Sequence, residues 1–286
     1  MPLSGALKLV VSALAAALVA ALAIQPELRA ALIAQINDPA ALPTLPEDAR
    51  VHFEAQARAR AEAAAAALPA AVAKIEAEHG RPFARPPVVA VFADDAAYAR
   101  ANGLGDADIV GVSRAGRAML SPALCQNESW RLVSVLTHEL SHVHFFGWRP
   151  RGAPRPPQWF TEGLAVLASD GGAAESVSDA DAARAIRDGY GVILDASRWT
   201  NFLSIPFAAA PPCGAGCDLR SFRQRMAYRQ AALFIGWLRR GDPAAFSRLM
   251  RALEGGSAFE PAFEAALNDP PQALWRRFAT ALQASR

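Results

Sequence analysis

ESWRLVSVLTHELSHVHFF, residues 128–146, decides the reading of this chain. The stretch holds neither Gly nor Pro, and it predicts one continuous helix. Val133, Leu136, Leu140 and Val143 give that helix an apolar side. His138 and His142 stand four positions apart, about 40° around the axis, so both imidazoles reach one metal ion. Glu139 is one step round, beside such an ion rather than on it. A base that takes a proton from a metal-bound water must stand there. The helix is expected to be buried, with its polar stripe facing a cleft.

A third ligand follows downstream. Trp159-Phe160-Thr161-Glu162-Gly163-Leu164-Ala165 places a glutamate twenty residues after His142. The Pro-rich stretch 147–158 can return the chain, so that a second helix lies against the first. A carboxylate among Trp, Phe, Leu and Ala is costly to bury unpaired, which favours Glu162 as a ligand. Two histidines and one carboxylate leave a fourth zinc position open, the catalytic arrangement.

Outward from this centre, the N-terminal half mixes helix and strand. Residues 25–46, with Pro26, Pro39, Pro43 and Pro46, read as a linker with a short helical piece. Residues 47–79 predict a long Ala/Glu/Arg helix, with Pro69 as a possible kink and Gly80 as its end. Residues 88–92 predict a buried strand, 94–102 a short helix, and 109–112 with 118–120 a hairpin. That hairpin offers an edge where a peptide can add as an extra strand. After the second motif the chain predicts helices only, at 175–188, 222–239, 243–253, 258–267 and 271–283, around a Pro-spotted loop at 198–217. Strands first and helices afterwards make an α+β class: a small N-terminal sheet with helices, then an all-helical C-terminal part.

The 286 residues suffice for a hydrophobic core. At 52% hydrophobic and 20% charged the chain is not disordered, and a net charge of +2 gives no basic field for nucleic acid. The basic residues are Arg except Lys8 and Lys74, and Ala abounds, as GC-rich bacterial genes encode. Leu9 to Ile24 is an uncharged run of sixteen residues behind Lys8, with Ala21-Leu22-Ala23 as a cleavage site. Residues 1–24 are therefore expected to be a signal peptide or an uncleaved membrane anchor. The expectation is a periplasmic, secreted or N-terminally tethered protein. Cys125, Cys213 and Cys217 are an odd set. A bridge between Cys213 and Cys217, or from Cys125 to either, is open, and metal binding by them is disfavoured.

His138-Glu139-x-x-His142 followed by Trp159-x-x-Glu162-Gly163-x-Ala165 resembles the gluzincin metallopeptidases, the group of thermolysin and the aminopeptidase N-like enzymes. The second motif is nearer the aminopeptidase N-like branch. The likeness is to minimal bacterial gluzincin domains, from about residue 50 to the C-terminus, closing on the aromatic stretch Phe259 to Phe278. It implies a zincin-like metallopeptidase domain over 47–286, Zn²⁺ on His138, His142 and Glu162, Glu139 as general base, and a peptide or protein substrate. No Gly-Ala-Met-Glu-Asn-like segment precedes the helix; Gly111 to Pro122 stands there, which favours an endopeptidase. The glutamate often found seven positions after the ligand is replaced by Ser169, and Asp170 becomes the candidate to orient a histidine.

An oxyanion donor is also needed. No histidine follows His144, so the candidates are Tyr190 and Tyr228. Tyr228 is favoured, because it opens an apolar helix and lies 66 residues past Glu162, similar to the family's catalytic tyrosine. His52 and His79 are expected at surface or capping positions, His144 to point away from the site, and Arg149, Arg151 and Arg155 to lie in a solvated loop. Two rival readings stand beside the peptidase: a non-catalytic binding or assembly protein of the cell envelope, and a zinc hydrolase of a non-peptide substrate.

Overall fold

The computed structural model describes residues 10, 11, 25–197, 199 and 201–284. The expected signal or anchor at 1–24 lies outside these residues, except Val10 and Val11. No helix among the described residues is long and apolar enough to cross a membrane.

Five strands form one sheet: β1 (Thr44–Leu45), β2 (Asp48–Phe53), β3 (Val88–Val91), β4 (Gly111–Arg114) and β5 (Arg117–Leu120). Their order is β1-β2-β3-β5-β4. β2, β3 and β5 run parallel, while β1 and β4 pair antiparallel at the two edges. Strand alternation sends Val89, Val91 and Leu120 to one face and Ala90 and Met119 to the other. The second face is covered by Tyr98 and Ala101 of α3 (Asp95–Asn102), against which α1 (Pro26–Ile36) packs.

The first face carries α2 (Arg58–His79) and α5 (Leu132–Trp148); the short α4 (Pro122–Gln126) precedes α5. Ala61, Ala64, Leu68, Ala71 and Ile75 line the buried stripe of α2, and its three alanines let α5 approach. Pro69 sits on the exposed side and the helix continues through it to Gly80, whose φ of 70° is left-handed as expected for a helix stop.

A second core gathers the helices that follow. α6 (Gln158–Ala168), α7 (Asp179–Arg187), α8 (Leu219–Gly241), α9 (Pro243–Glu254), α10 (Phe259–Leu267) and α11 (Pro271–Ala284) enclose Trp159, Phe160, Phe234, Phe259, Phe263 and Phe278. α5 belongs to both cores: Leu136, Leu140 and Val143 face the sheet side, and Phe145 joins the aromatic cluster.

Several expectations need correction. Residues 47–54 are not helical; β2 occupies 48–53, because Val51 and Phe53 bury one face of an alternating strand while His52 Nδ1 meets the Leu42 carbonyl at 3.2 Å, and only a 3-10 turn at Ala55–Ala57 precedes α2. The approach segment holds β1, whose Leu45 is in the core. Val133 lies exposed, off the apolar side of its helix. Cys213 bridges Cys217, and Cys125 is free.

Candidate metal centre

α5 and α6 meet at the seam between the cores, and three side chains converge there. His138 Nε2 lies 3.2 Å from Glu162 Oε2, and His142 Nε2 lies 3.3 Å from the same oxygen. The two Nε2 atoms are 3.2 Å apart. Exposure is 2% for His138, 8% for His142 and 8% for Glu162. An ion about 2.0–2.1 Å from each donor in tetrahedral geometry sets donors about 3.3–3.4 Å apart. The triangle has that edge, so the residues fit a metal ion, with the remaining coordination direction free of these three ligands.

The electrostatics agree. Burial alone would raise the Glu162 carboxyl, but the charge of His142 and the hydrogen bonds from both histidines outweigh it and hold Glu162 well below the usual carboxylate range. Burial alone would lower His142, and Glu162 reverses that to a raised value. A buried carboxylate therefore demands positive charge here, which a proton or a metal ion can supply.

The second carboxylate oxygen of Glu162 is also held. Gln158, one turn earlier on α6, donates its Nε2–H to Glu162 Oε1 at 3.3 Å and accepts the Trp199 N–H on its own Oε1 at 2.9 Å. Sequence reasoning missed Gln158. Its place four residues before the ligand, on the same helix face, was the available signal.

Glu139 stands beside the triangle, 6% exposed, its carboxyl raised chiefly by burial and lowered in part by His138 and His142. The Ser113 side chain of edge strand β4 stands near it and favours its ionised form. β4 comes this close because of Gly111: a Cβ there would meet Val135 Cγ1 at 2.8 Å and Glu139 Oε1 at 3.1 Å. The edge of the sheet and the acid on the helix thus form one wall of an open cleft that also holds His138, His142, Glu162 and Tyr228.

Tyr228 enters from α8. Its ring stacks on His138, centroids 6.2 Å apart and planes within 3°, and on Trp199 at 6.0 Å. The side chains of Gln224 and Gln158 lie near its hydroxyl. Burial, followed by the Glu162 charge, raises that hydroxyl well above its ordinary value, so it keeps its proton. α8 reaches this close through Gly163, where a Cβ would lie 2.7 Å from the Ala231 backbone carbon. Tyr190 is elsewhere, packed beside Val177 and Met226.

Other expectations fare differently. Asp170 does not orient a histidine; it is exposed and pairs with Lys74 of α2. Ser169 folds back on its own helix, donating to the Ala165 carbonyl at 2.7 Å. His138 Nδ1 is buried and has no hydrogen-bond partner among the described residues. Arg149 is buried and donates to the Leu253 carbonyl, so it is a structural tie and not a solvated loop residue. Arg151 and Arg155 are exposed on the cleft rim. His144 points away from the cleft, as expected, while His79 is partly buried and meets Ser141 Oγ at 3.0 Å.

No family model, no curated protein and no solved structure matches this chain.

Proposed function

We propose that the chain is an exported zinc-dependent peptidase of the gluzincin type, with a zincin-like fold, cutting within polypeptides. One observation carries the reading: the His138–His142–Glu162 triangle with Glu139 and an edge strand beside it. His138, His142 and Glu162 would hold zinc, the ion whose catalytic sites use this donor set, and it would polarise a carbonyl and acidify a water.

The chain's own groups supply the rest. Glu139 takes the proton of the attacking water and passes it to the leaving amine. Its burial-raised pKa suits a group that must hold that proton in between. Ser113 stands near its carboxylate and favours the ionised form that accepts the proton. The Tyr228 hydroxyl, on a rigid helix and protonated, donates to the developing oxyanion. Among the described residues β4 pairs as a strand with β5 alone, so its outer edge would hydrogen-bond an extended substrate as a sixth strand. Because Gly111 lies against Glu139, such a strand runs past the acid. Export is supported by the uncharged run at 9–24 and by the Cys213–Cys217 bridge, which persists in oxidising compartments.

The test is digestion of a denatured-protein library by the full chain, with its metal content measured alongside. Wild type should cleave internal bonds, and Glu139→Gln should lose on the order of a thousandfold in turnover while keeping its metal. Zinc at the triangle without cleavage of any protein would overturn the peptidase reading. A reporter active only outside the cytoplasm, fused behind residues 1–30, should be active; an inactive cytoplasmic fusion would overturn export.

A further inference from the structure

A second set of donors lies away from the cleft. His79 ends α2, His144 is on α5 about 200° further round than His142, and Glu254 ends α9. One ring nitrogen of each histidine and one carboxylate oxygen lie within 4.8 Å of one another. His144 is 0% exposed and Glu254 5%, and none of the three lines the cleft.

The hydrogen bonds show which atoms are free. His144 Nε2 lies 3.0 Å from the Arg81 carbonyl. A carbonyl only accepts, so Nε2 carries the ring proton and Nδ1 of the neutral ring is a bare lone pair. That Nδ1 is buried and without a hydrogen-bond partner among the described residues. His79 uses Nε2 on Ser141 Oγ at 3.0 Å, and its Nδ1 is likewise buried and unpartnered. The two rings face each other, centroids 4.5 Å apart. Glu254 adds a carboxylate, steadied by an ion pair with Arg81, whose guanidinium also lies over the Trp148 ring.

His144 Nδ1 is a buried lone pair, His79 Nδ1 is a second one in the tautomer whose Nε2–H donates to Ser141 Oγ, and with the buried Glu254 carboxylate they are a set of acceptors that a small cation would unite. A histidine whose other nitrogen donates to a backbone carbonyl is the usual arrangement of a metal-bound imidazole, and a ligating carboxylate is usually hydrogen-bonded from outside, as Arg81 does here. We propose that His79, His144 and Glu254 form a second metal site, for a divalent first-row transition ion of the zinc class. Imidazole donors favour such ions over calcium or magnesium. Closing the donors to about 3.3 Å apart asks each to move at most about 1 Å.

The site is structural. It joins the end of α2 and the back of α5 to the end of α9, and so ties the sheet side to the C-terminal helices. Through the His79–Ser141 contact it also braces the helix turn between His138 and His142. It does not depend on the catalytic reading.

Zinc alone, titrated calorimetrically into the chelator-stripped full chain, tests it. Wild type should bind two equivalents. His138→Gln/Glu162→Gln, which empties the first centre, should keep one; His79→Gln should also fall to one. Zinc should raise the thermal midpoint of the His138→Gln/Glu162→Gln variant. No binding by that variant would overturn the second site and leave the first standing. Two equivalents persisting in a folded His79→Gln would overturn it equally. If His79→Gln does not fold, Glu254→Gln replaces it, and if neither folds the equivalent kept or lost by His138→Gln/Glu162→Gln decides.

Discussion

Tyr228 and Gln158 make the sharpest claims about single residues. Tyr228→Phe removes one hydroxyl and leaves the ring stacked on His138. Turnover should fall on the order of a hundredfold with zinc content unchanged; equal turnover would make Tyr228 a packing residue. Gln158→Ala frees one oxygen of Glu162 and the Trp199 amide together. Zinc affinity should drop about 10- to 100-fold in a competition titration with a chelating dye, and undiminished affinity would dismiss the bond to Glu162. His138, Glu139, His142 and Glu162 were legible in the sequence because helical spacing alone sets the histidines on one face, and because Glu162 sits in an apolar frame. Gln158 was not, since its value depends on a loop amide 41 positions away. Asp170 misled for the opposite reason. It follows the helix end at a φ of 53°, and that turn sends its carboxylate out to Lys74.

Elements were legible where periodicity was long and less so where it was short. α5, α6 and α8–α11 follow from uninterrupted apolar spacing, and the bounds differ by a few residues. β2 was lost because three alternating residues, Val51-His52-Phe53, stand beside an alanine-rich run that reads as helix in any window wider than themselves. Close approach between elements rests on two glycines that no periodicity singles out. Gly163→Ala gains about 1 kcal/mol of helix propensity, but its Cβ meets Ala231 backbone atoms at 2.7 and 2.9 Å, and backbone cannot swing aside. The overpacking term of about 1–3 kcal/mol should win, and denaturant unfolding should show a lower midpoint with an unchanged slope. Gly111→Val meets side chains instead, Val135 and Glu139. The fold should persist by circular dichroism while turnover falls at least about tenfold, because the edge strand is displaced from the acid. Full activity in that variant would show that β4 does not position the substrate.

Across the whole molecule, the centre sits where two cores meet. His138 and His142 ride on a helix that packs on the sheet, and Glu162 rides on one buried in the aromatic cluster. An ion bound by both sides must stabilise the pair of cores jointly. At free zinc a hundred times its dissociation constant the gain is about 2.7 kcal/mol. Chelation should therefore lower the thermal midpoint of wild type, and by less in Glu162→Gln, as differential scanning calorimetry would read.

The close approach at Gly163 also sets an order of events. Glu162 is held in place by α6, and α6 is seated by α8, which ends at Gly241. A growing or threading chain that has presented only the His-Glu-Leu-Ser-His segment owns two ligands and no third. It gains the third only after about a hundred further residues have emerged and packed. If the chain is the exported peptidase proposed above, hydrolytic competence would be delayed to the last stage of folding, and a nascent or translocating molecule would stay harmless to its neighbours until then.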